Sequence, residues 1–227
     1  FSLPASAQPL AAAGALTFGA ATSNGTTTTL GWTYDPAAAN LDFLAAGEEL
    51  TITYTVRVSD GTATTGTQDI VITITGTNDG PVSTGGVVSG ALTETAAATG
   101  VQTLAATGSF TATDLDASAT VTAAAAAAPT ATWSNTTSTE SMADVIEALS
   151  TSLTLTPTFD PETNTLTVGW SYDASVNIDA LAAGETITLV YPVTITDSAG
   201  ATASRDVTIV ITGANDAPTI ASAVDVD

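Results

Sequence analysis

The sequence contains no cysteine, no histidine and no lysine, and its two basic side chains are Arg57 and Arg205. Without cysteine it can form no disulfide, and without cysteine or histidine it cannot hold zinc, haem or an iron–sulfur cluster through those ligands. Ser-His-Asp and Cys-His catalytic groups are excluded for the same reason. Nucleic acids are excluded as partners, because phosphate binding needs clusters of Lys and Arg and this chain carries a formal charge of −21.

Long apolar runs and aromatic side chains are also scarce. No stretch approaches the ~18 apolar residues of a membrane-spanning helix, so we expect no membrane insertion in this segment. Aromatic residues make up only 5% of the chain, and no phosphate-binding loop or dinucleotide fingerprint is present, so we expect no enzyme. Hydrophobic residues nevertheless account for 44% of the 227 positions, which favours a folded chain of one or two domains over a disordered one.

An internal repeat organises the sequence. Its copies share a Gly-Trp-x-Tyr-Asp block, a Leu-Ala-Ala-Gly-Glu block and a Thr-Gly-x-Asn-Asp-x-Pro block. The matching segments are 31–35 with 169–173, 41–48 with 178–185, and 72–81 with 209–218. From Asp42 and Asp179 onward the two copies run 137 residues apart without a gap. Such self-similarity indicates a tandem array and not two unrelated domains.

The repeat predicts three segments. Residues 1–79 form an incomplete first repeat, 80–217 a complete second repeat with an insertion at about 120–150, and 218–227 the start of a further repeat or a linker. Nothing before Gly14 matches the segment from Val82 to Ser150. Two interpretations stay open: a window on a longer array, or a subunit whose first domain is completed by a strand of another chain, as in strand complementation.

Alternating apolar residues predict an all-β fold. Residues 50–59 place Leu50, Ile52 and Tyr54 on one face and threonines on the other, which is typical of a strand with one exposed side. One helix is predicted, because Met142, Val145, Ile146 and Leu149 recur at helical spacing behind the possible caps Thr139 and Ser141. We therefore expect tandem antiparallel β-sandwiches of immunoglobulin-like or cadherin-like type, with a short helix in the second repeat.

The Leu-Ala-Ala-Gly-Glu and Thr-Gly-x-Asn-Asp-x-Pro blocks, with a strand ending in Ser-Asp-Gly or Thr-Asp-Ser-Ala-Gly between them, resemble VCBS and bacterial cadherin-like repeats. Those repeats are extender modules of large RTX-type adhesins and surface filament proteins. The resemblance implies an extracellular, non-enzymatic β-sandwich that binds calcium at repeat junctions and serves as a stalk or adhesive surface. Neighbouring repeats or further copies of the chain are then its partners.

Calcium is also the cation that the residue types favour. Ca²⁺ takes six to eight oxygen ligands, and this chain offers carboxylates, amides and carbonyls but no soft or imidazole ligand. Asp114 and Asp116 stand two residues apart, a spacing that places both carboxylates on one side of an extended backbone. The Asn-Asp pairs 78–79 and 215–216 lie at the repeat boundaries, each two residues before a proline that stiffens the exit.

The resemblance assigns these residues to sites. It implies that Asn78 and Asp79 meet Asp114 and Asp116 in one junction. It implies a second junction that joins Glu94 to Asn215 and Asp216. Asp60 and Asp197 occupy equivalent loops and are weaker candidates. Glu48 and Glu185 are weaker candidates as well, and the alternative for them is that they cap the Ala-Ala-Gly turn. For the aspartates and asparagines the alternative is a turn closed by side-chain hydrogen bonds.

Two other functions compete with the stalk. Trp32 and Trp170 occupy matching positions and are predicted to be core aromatics, whereas Trp133 has no counterpart and is a candidate for a surface contact. The 120–150 insertion could therefore bind a surface glycan or a host or cell-surface protein. Alternatively, the chain could be a self-assembling matrix or surface-layer filament subunit joined by strand complementation.

Overall fold

The computed structural model describes residues 3–24, 26, 28–59, 62–64, 66–96, 100–135 and 142–216. Strands dominate this part of the chain, which confirms the predicted all-β class. The chain divides into two compact units. The first comprises Phe1–Asp79 and Leu115–Ala119, and the second comprises Gly80–Asp114 and Thr120–Asp227.

Among its described residues, the first unit contains two short 3₁₀ helices and six strands. The helices are Ala5–Ala11 and Ala13–Ala15; the strands are β1 (Leu16–Phe18), β2 (Thr22–Ser23), β3 (Thr28–Thr29), β4 (Trp32–Tyr34), β5 (Glu49–Val56) and β6 (Gln68–Thr75). They form three two-stranded antiparallel sheets, which pair β1 with β4, β2 with β3, and β5 with β6. Leu50 and Ile52 of β5 are buried on the predicted face and pack against Leu10 and Leu44.

The second unit is a two-sheet sandwich. Its elements are β7 (Val82–Gly86), β8 (Ser89–Thr93), β9 (Val101–Thr113), β10 (Val121–Ala125), β11 (Thr130–Trp133), α1 (Ala143–Ser150), β12 (Leu153–Asp160), β13 (Thr165–Asn177), β14 (Thr186–Asp197) and β15 (Thr202–Thr212). One sheet has the order β12-β13-β9-β7, and the other has the order β10-β14-β15-β8, with β11 also paired to β14. The β15–β8 pair is parallel, whereas the remaining pairs of the unit are antiparallel.

The core of the second unit comes from alternate residues of its long strands, because successive side chains of a strand point to opposite faces. On β13 the alternating residues Val168, Trp170 and Tyr172 are buried, and on β14 so are Leu189 and Tyr191. Trp170 is thus a core aromatic, as predicted. Trp32, predicted to be its equivalent in the core of the first unit, is 47% exposed, so that prediction is wrong.

The segment predicted to be an insertion, residues 120–150, supplies regular elements of the second unit. Strands β10 and β11 both add to β14, and α1 follows them. The predicted helical period is confirmed, because α1 spans Ala143–Ser150 and buries Leu149 completely. The predicted caps Thr139 and Ser141 lie outside the described residues.

A tyrosine pair recurs in both units. In the second unit, the hydroxyls of Tyr172 and Tyr191 donate to the carbonyl oxygen of Leu149 at 3.2 and 3.1 Å. In the first unit, the hydroxyls of Tyr34 and Tyr54 donate to the carbonyl of Leu10 at 2.9 and 3.0 Å. The ring centroids of the two pairs are 6.5 and 6.3 Å apart.

This shared contact reveals an equivalence between the two units that the sequence does not show. The first 3₁₀ helix carries the acceptor Leu10, and α1 carries the acceptor Leu149. The helix at residues 5–11 is therefore the structural equivalent of α1, although no sequence before Gly14 matches the second copy. A tyrosine hydroxyl that meets a backbone carbonyl places no demand on the side chain of the acceptor residue. Sequence comparison therefore could not find the equivalence.

The Leu-Ala-Ala-Gly-Glu block forms the same closed turn in each unit. The carboxylate of Glu48 accepts from the backbone N–H of Ala45 at 3.1 Å, and that of Glu185 accepts from Ala182 at 3.3 Å. The capping alternative that the sequence left open for both glutamates is the one observed. Glu185 also accepts from the Trp133 indole N–H at 3.2 Å, so Trp133 is tied into the sandwich.

Candidate metal site

Glu94 is a buried carboxyl that lies directly after β8. Its backbone N–H donates to the carbonyl of Thr212 at the end of β15, which fixes the residue against the neighbouring strand. Its Oε2 accepts from the backbone N–H of Ala214 at 2.9 Å, and its Oε1 accepts from the side-chain amide of Gln102 at 3.4 Å. Only 3% of the side chain is exposed, so the carboxyl is held in one place and largely shielded from water.

Two further carboxyls act on Glu94. Asp216 follows β15, and Asp179 precedes the second Ala-Ala-Gly turn, where its Oδ2 accepts from the backbone N–H of Gly100 at 2.9 Å. The Oδ1 atoms of Asp179 and Asp216 are shielded from solvent and have no hydrogen-bond partner within the described ranges. Such oxygens are costly to bury unless something else neutralises them.

The electrostatics of this end of the second unit disfavour the ionised form of Glu94. Burial away from water is the main cause that raises the pKa of Glu94 above its ordinary value. The N–H of Ala214 opposes the shift, and the negative charges of Asp216 and Asp179 raise the pKa further. We name Glu94, Asp179 and Asp216 the Glu94 cluster.

Asp179 was missed by the sequence-based predictions. The signal was present, because Asn-x-Asp occurs in both copies, at 40–42 and 177–179. In both, the Asn side-chain oxygen accepts from the backbone N–H of the Asp, at 2.8 Å for Asp42 and 2.9 Å for Asp179. Asn215, predicted as a ligand, is exposed, and its side-chain amide donates to the carbonyl of Asp216 at 3.1 Å.

In the first unit, the structure brings two predicted ligands together. Asp116 is completely buried, and its Oδ2 accepts from the backbone N–H of Asp79 at 3.0 Å. The side-chain amide of Asn78 donates to the carbonyl of Asp79 at 2.9 Å, the same contact that Asn215 makes. The boundary Asn-Asp pair is therefore built in the same way in both copies.

Asp114 belongs to the second unit and is 4% exposed. Its backbone pairs with Asn164: the Asp114 N–H donates to the Asn164 carbonyl at 3.3 Å, and the Asn164 side-chain amide donates to the Asp114 carbonyl at 2.9 Å. That all four residues of the first predicted junction share one ion stays a prediction.

Asp197 has a structural role in a turn. Its Oδ1 accepts from the backbone N–H groups of Ala199 and Ala201 at 2.9 and 2.8 Å, which closes the connection between β14 and β15. This is the turn-forming alternative that the sequence left open. Asp60, its equivalent in the first copy, lies outside the described residues.

Within the part of the chain that the structure describes, no three acidic side chains already form a metal centre. A cation at the Glu94 cluster would also need backbone carbonyls, the Asn215 side chain or water as ligands. The donor set still fits calcium, because it consists of oxygens and includes the two solvent-shielded carboxylate oxygens of Asp179 and Asp216.

Comparison with known proteins assigns the chain to no family. No model of a protein family matches the chain, and no curated protein matches it significantly. Among the described residues, no helix has the length and apolar character needed to cross a membrane.

Proposed function

We propose that this chain is a non-enzymatic, extracellular structural module that binds calcium at the ends of its repeats and acts as part of a stalk or filament of a cell-surface adhesin. The observation that carries the proposal is the Glu94 cluster. There the charges of Asp179 and Asp216 act on the buried carboxyl of Glu94. The solvent-shielded Oδ1 atoms of both aspartates have no hydrogen-bond partner in the described chain.

Charge balance supports a cation at this cluster. Two carboxylates at close range repel one another, and the repulsion grows as water is removed. The whole chain has 23 acidic residues and only two basic ones, so it cannot neutralise its carboxylates by ion pairs within itself. A bound divalent cation removes the repulsion, and the shielded oxygens serve as its ligands.

The mechanical role follows from where the carboxylates lie in the repeat. The Asn-Asp pairs stand at repeat boundaries, and the proline two residues later restricts the backbone there. Calcium held at these positions would join consecutive repeats and limit their relative motion. Calcium would therefore convert a flexible string of repeats into a stiffer one.

Calorimetric titration of the calcium-free chain with CaCl₂ tests the proposal. We expect saturable binding, and we expect Glu94→Gln to weaken one class of sites by about tenfold or more. The glutamine keeps the volume and an oxygen that can accept from Ala214, and it loses only the long contact with the Gln102 amide, so we expect the fold to be retained. Glu162→Gln, in an exposed turn, is the matched control and should bind like the parent chain.

Two results would contradict the proposal. One is the absence of binding at millimolar calcium. The other is a Glu94→Gln variant that binds calcium as tightly and in the same amount as Glu162→Gln. The competing function, glycan or partner binding through residues 120–150, draws no support from Trp133, because its indole N–H is engaged by Glu185 and its ring packs against the core.

A further inference from the structure

We propose that the first unit carries an acceptor site for an extended segment of the kind found at Val87–Glu94, supplied by another copy of this repeat. The segment adds to β6 as a parallel strand and places its glutamate between Asp42 and Asp79. Three independent features of the first unit indicate this site. In the second unit, the contacts at all three matching positions are made by residues of one short segment, Val87–Glu94.

The first feature is the edge of β6. In the second unit, β15 is flanked by β14 on one side and by the parallel strand β8 on the other, in a register that runs from Ser89 opposite Thr208 to Thr93 opposite Thr212. β6 is the counterpart of β15, and in the described chain it pairs only with β5. Its second edge therefore presents backbone groups that can pair with an added strand.

The second feature is a pocket at the end of β6. It has a volume of about 150 Å³ and is lined by residues that include Asp42, Leu44, Thr77 and Asp79. Asp42, Thr77 and Asp79 occupy the repeat positions of Asp179, Ala214 and Asp216. In the second unit, the N–H of Ala214 donates to the Glu94 carboxylate, and the charges of Asp179 and Asp216 act on it. The pocket therefore lies where a glutamate of an added strand would enter.

The third feature is the exposed Trp32. Its counterpart Trp170 is 2% exposed, because its indole N–H donates to the carbonyl of Val87 at 2.7 Å and its ring lies beside Gly90. Trp32 is 47% exposed. An added segment that reproduces the Val87 contact gives this indole an acceptor and covers part of its ring.

The repeat also fixes the expected register and the chemistry of the occupant. Along the Ser-Gly-Ala-Leu-Thr-Glu segment of the second unit, every second residue faces the interior: the glycine, the leucine and the glutamate. In the first unit, the glycine and the leucine come to lie opposite Ile72 and Ile74, and the first serine lies opposite Val71, which is 56% exposed. The strand pairing and the Trp32 contact do not depend on calcium. The glutamate beside Asp42 and Asp79 needs protonation or a bound cation, because three carboxylates at close range repel one another.

Hydrogen–deuterium exchange of the full chain with a synthetic peptide of the sequence 87–95 tests the site. We expect the peptide to slow, by about tenfold or more near saturation, the exchange of those amides in 71–75 that point away from β5. A peptide of the same composition in scrambled order should have no effect. In the second unit the N–H of Thr208 donates to Val88, so the matching N–H of Val71 should point to the peptide and away from β5.

A matched pair of variants checks this register. Val71→Pro removes that N–H, and it should abolish the protection while the circular dichroism of the chain stays unchanged. Val71→Thr retains the N–H and should bind the peptide. The proposal is overturned if the 87–95 peptide gives no protection at millimolar concentration, or if the scrambled peptide or the Val71→Pro variant gives the same protection. The exchange is measured at a chain concentration at which these amides are unprotected without peptide, because a second copy that covered the edge with its own Val87–Glu94 would be the proposed contact itself.

Discussion

At the scale of single residues, each unit is organised by two tyrosine hydroxyls that converge on one backbone carbonyl. Burial raises the pKa of Tyr191 to about 12 and raises that of Tyr172 further. Both hydroxyls therefore stay protonated, and remain donors to Leu149, throughout the ordinary pH range. The contact ties the end of α1 to both sheets of the second unit, because Tyr172 lies on β13 and Tyr191 on β14.

Removing both hydroxyls should cost more than the sum of the single changes. Tyr172→Phe or Tyr191→Phe alone should lower the free energy of unfolding by about 1 kcal/mol, because the other hydroxyl still satisfies the carbonyl. The double variant leaves a buried carbonyl without these donors, and it should lose about 1 kcal/mol beyond additivity. Urea unfolding of the four proteins measures this coupling, and strict additivity would contradict the shared-acceptor interpretation.

The raised pKa of Glu94 predicts a particular dependence of stability on pH. A carboxyl whose pKa is higher in the folded state binds its proton more tightly there, so its protonation stabilises the fold. That contribution is complete below the ordinary value of 4.5 and is lost as the pH rises through the folded pKa. In EDTA, the stability of the parent chain relative to Glu94→Gln should therefore increase as the pH falls from neutral towards 4.5.

Urea unfolding at a series of pH values measures this difference. Glu162→Gln is the control, because its side chain is exposed and the change should leave the pH profile parallel to that of the parent. Parallel profiles for Glu94→Gln as well would show that burial and the two aspartates do not perturb Glu94.

At the scale of elements, the two repeat blocks are recognisable because they pack against each other. A Cβ on Gly213 would overlap the carbonyl oxygen of Leu181 and lie 2.5 Å from that of Ala182. A Cβ on Gly76 would meet the backbone of Leu44 and Ala45 in the same way. The glycine of Thr-Gly-x-Asn-Asp is thus required by the Leu-Ala-Ala-Gly-Glu turn, since no side chain fits between the two backbones.

Gly213→Ala should destabilise the second unit by about 1–3 kcal/mol, because the turn must move to make room for the methyl group. Gly80→Ala is the matched control: its Cβ would meet only the Ala201 methyl at an ordinary 3.5 Å, and surface changes of this kind usually stay within about 0.5 kcal/mol. Thermal unfolding compares the two variants, and equal melting temperatures would refute the packing argument.

The strands and the helix were predictable from the sequence because their signals are local. Alternation gave the inward face of β5, and helical spacing gave α1. The burial of Trp32 was wrongly predicted, because burial depends on a neighbouring strand that a matching sequence position does not guarantee. Asp179 was missed for a related reason: its Asn-x-Asp motif recurs in the sequence, but only the fold shows that its charge acts on Glu94.

At the scale of the whole molecule, the repeat was visible in the sequence but the difference between its copies was not. The second unit encloses its core between two sheets, whereas the first has three two-stranded sheets in the described residues and leaves Phe18 and Trp32 about half exposed. The sequence predicts residues 120–150 to be an insertion because the first copy has no matching sequence, although they build two strands of the sandwich.

Small-angle scattering of the full chain with calcium and with EDTA tests the central claim most directly. If calcium joins consecutive repeats, the calcium-loaded chain should show a larger maximum dimension and a narrower distance distribution than the chelated chain. Glu162→Gln should respond to chelation as the parent does, and Asp116→Asn should respond less. A maximum dimension and distance distribution that do not change on chelation would contradict calcium-dependent stiffening.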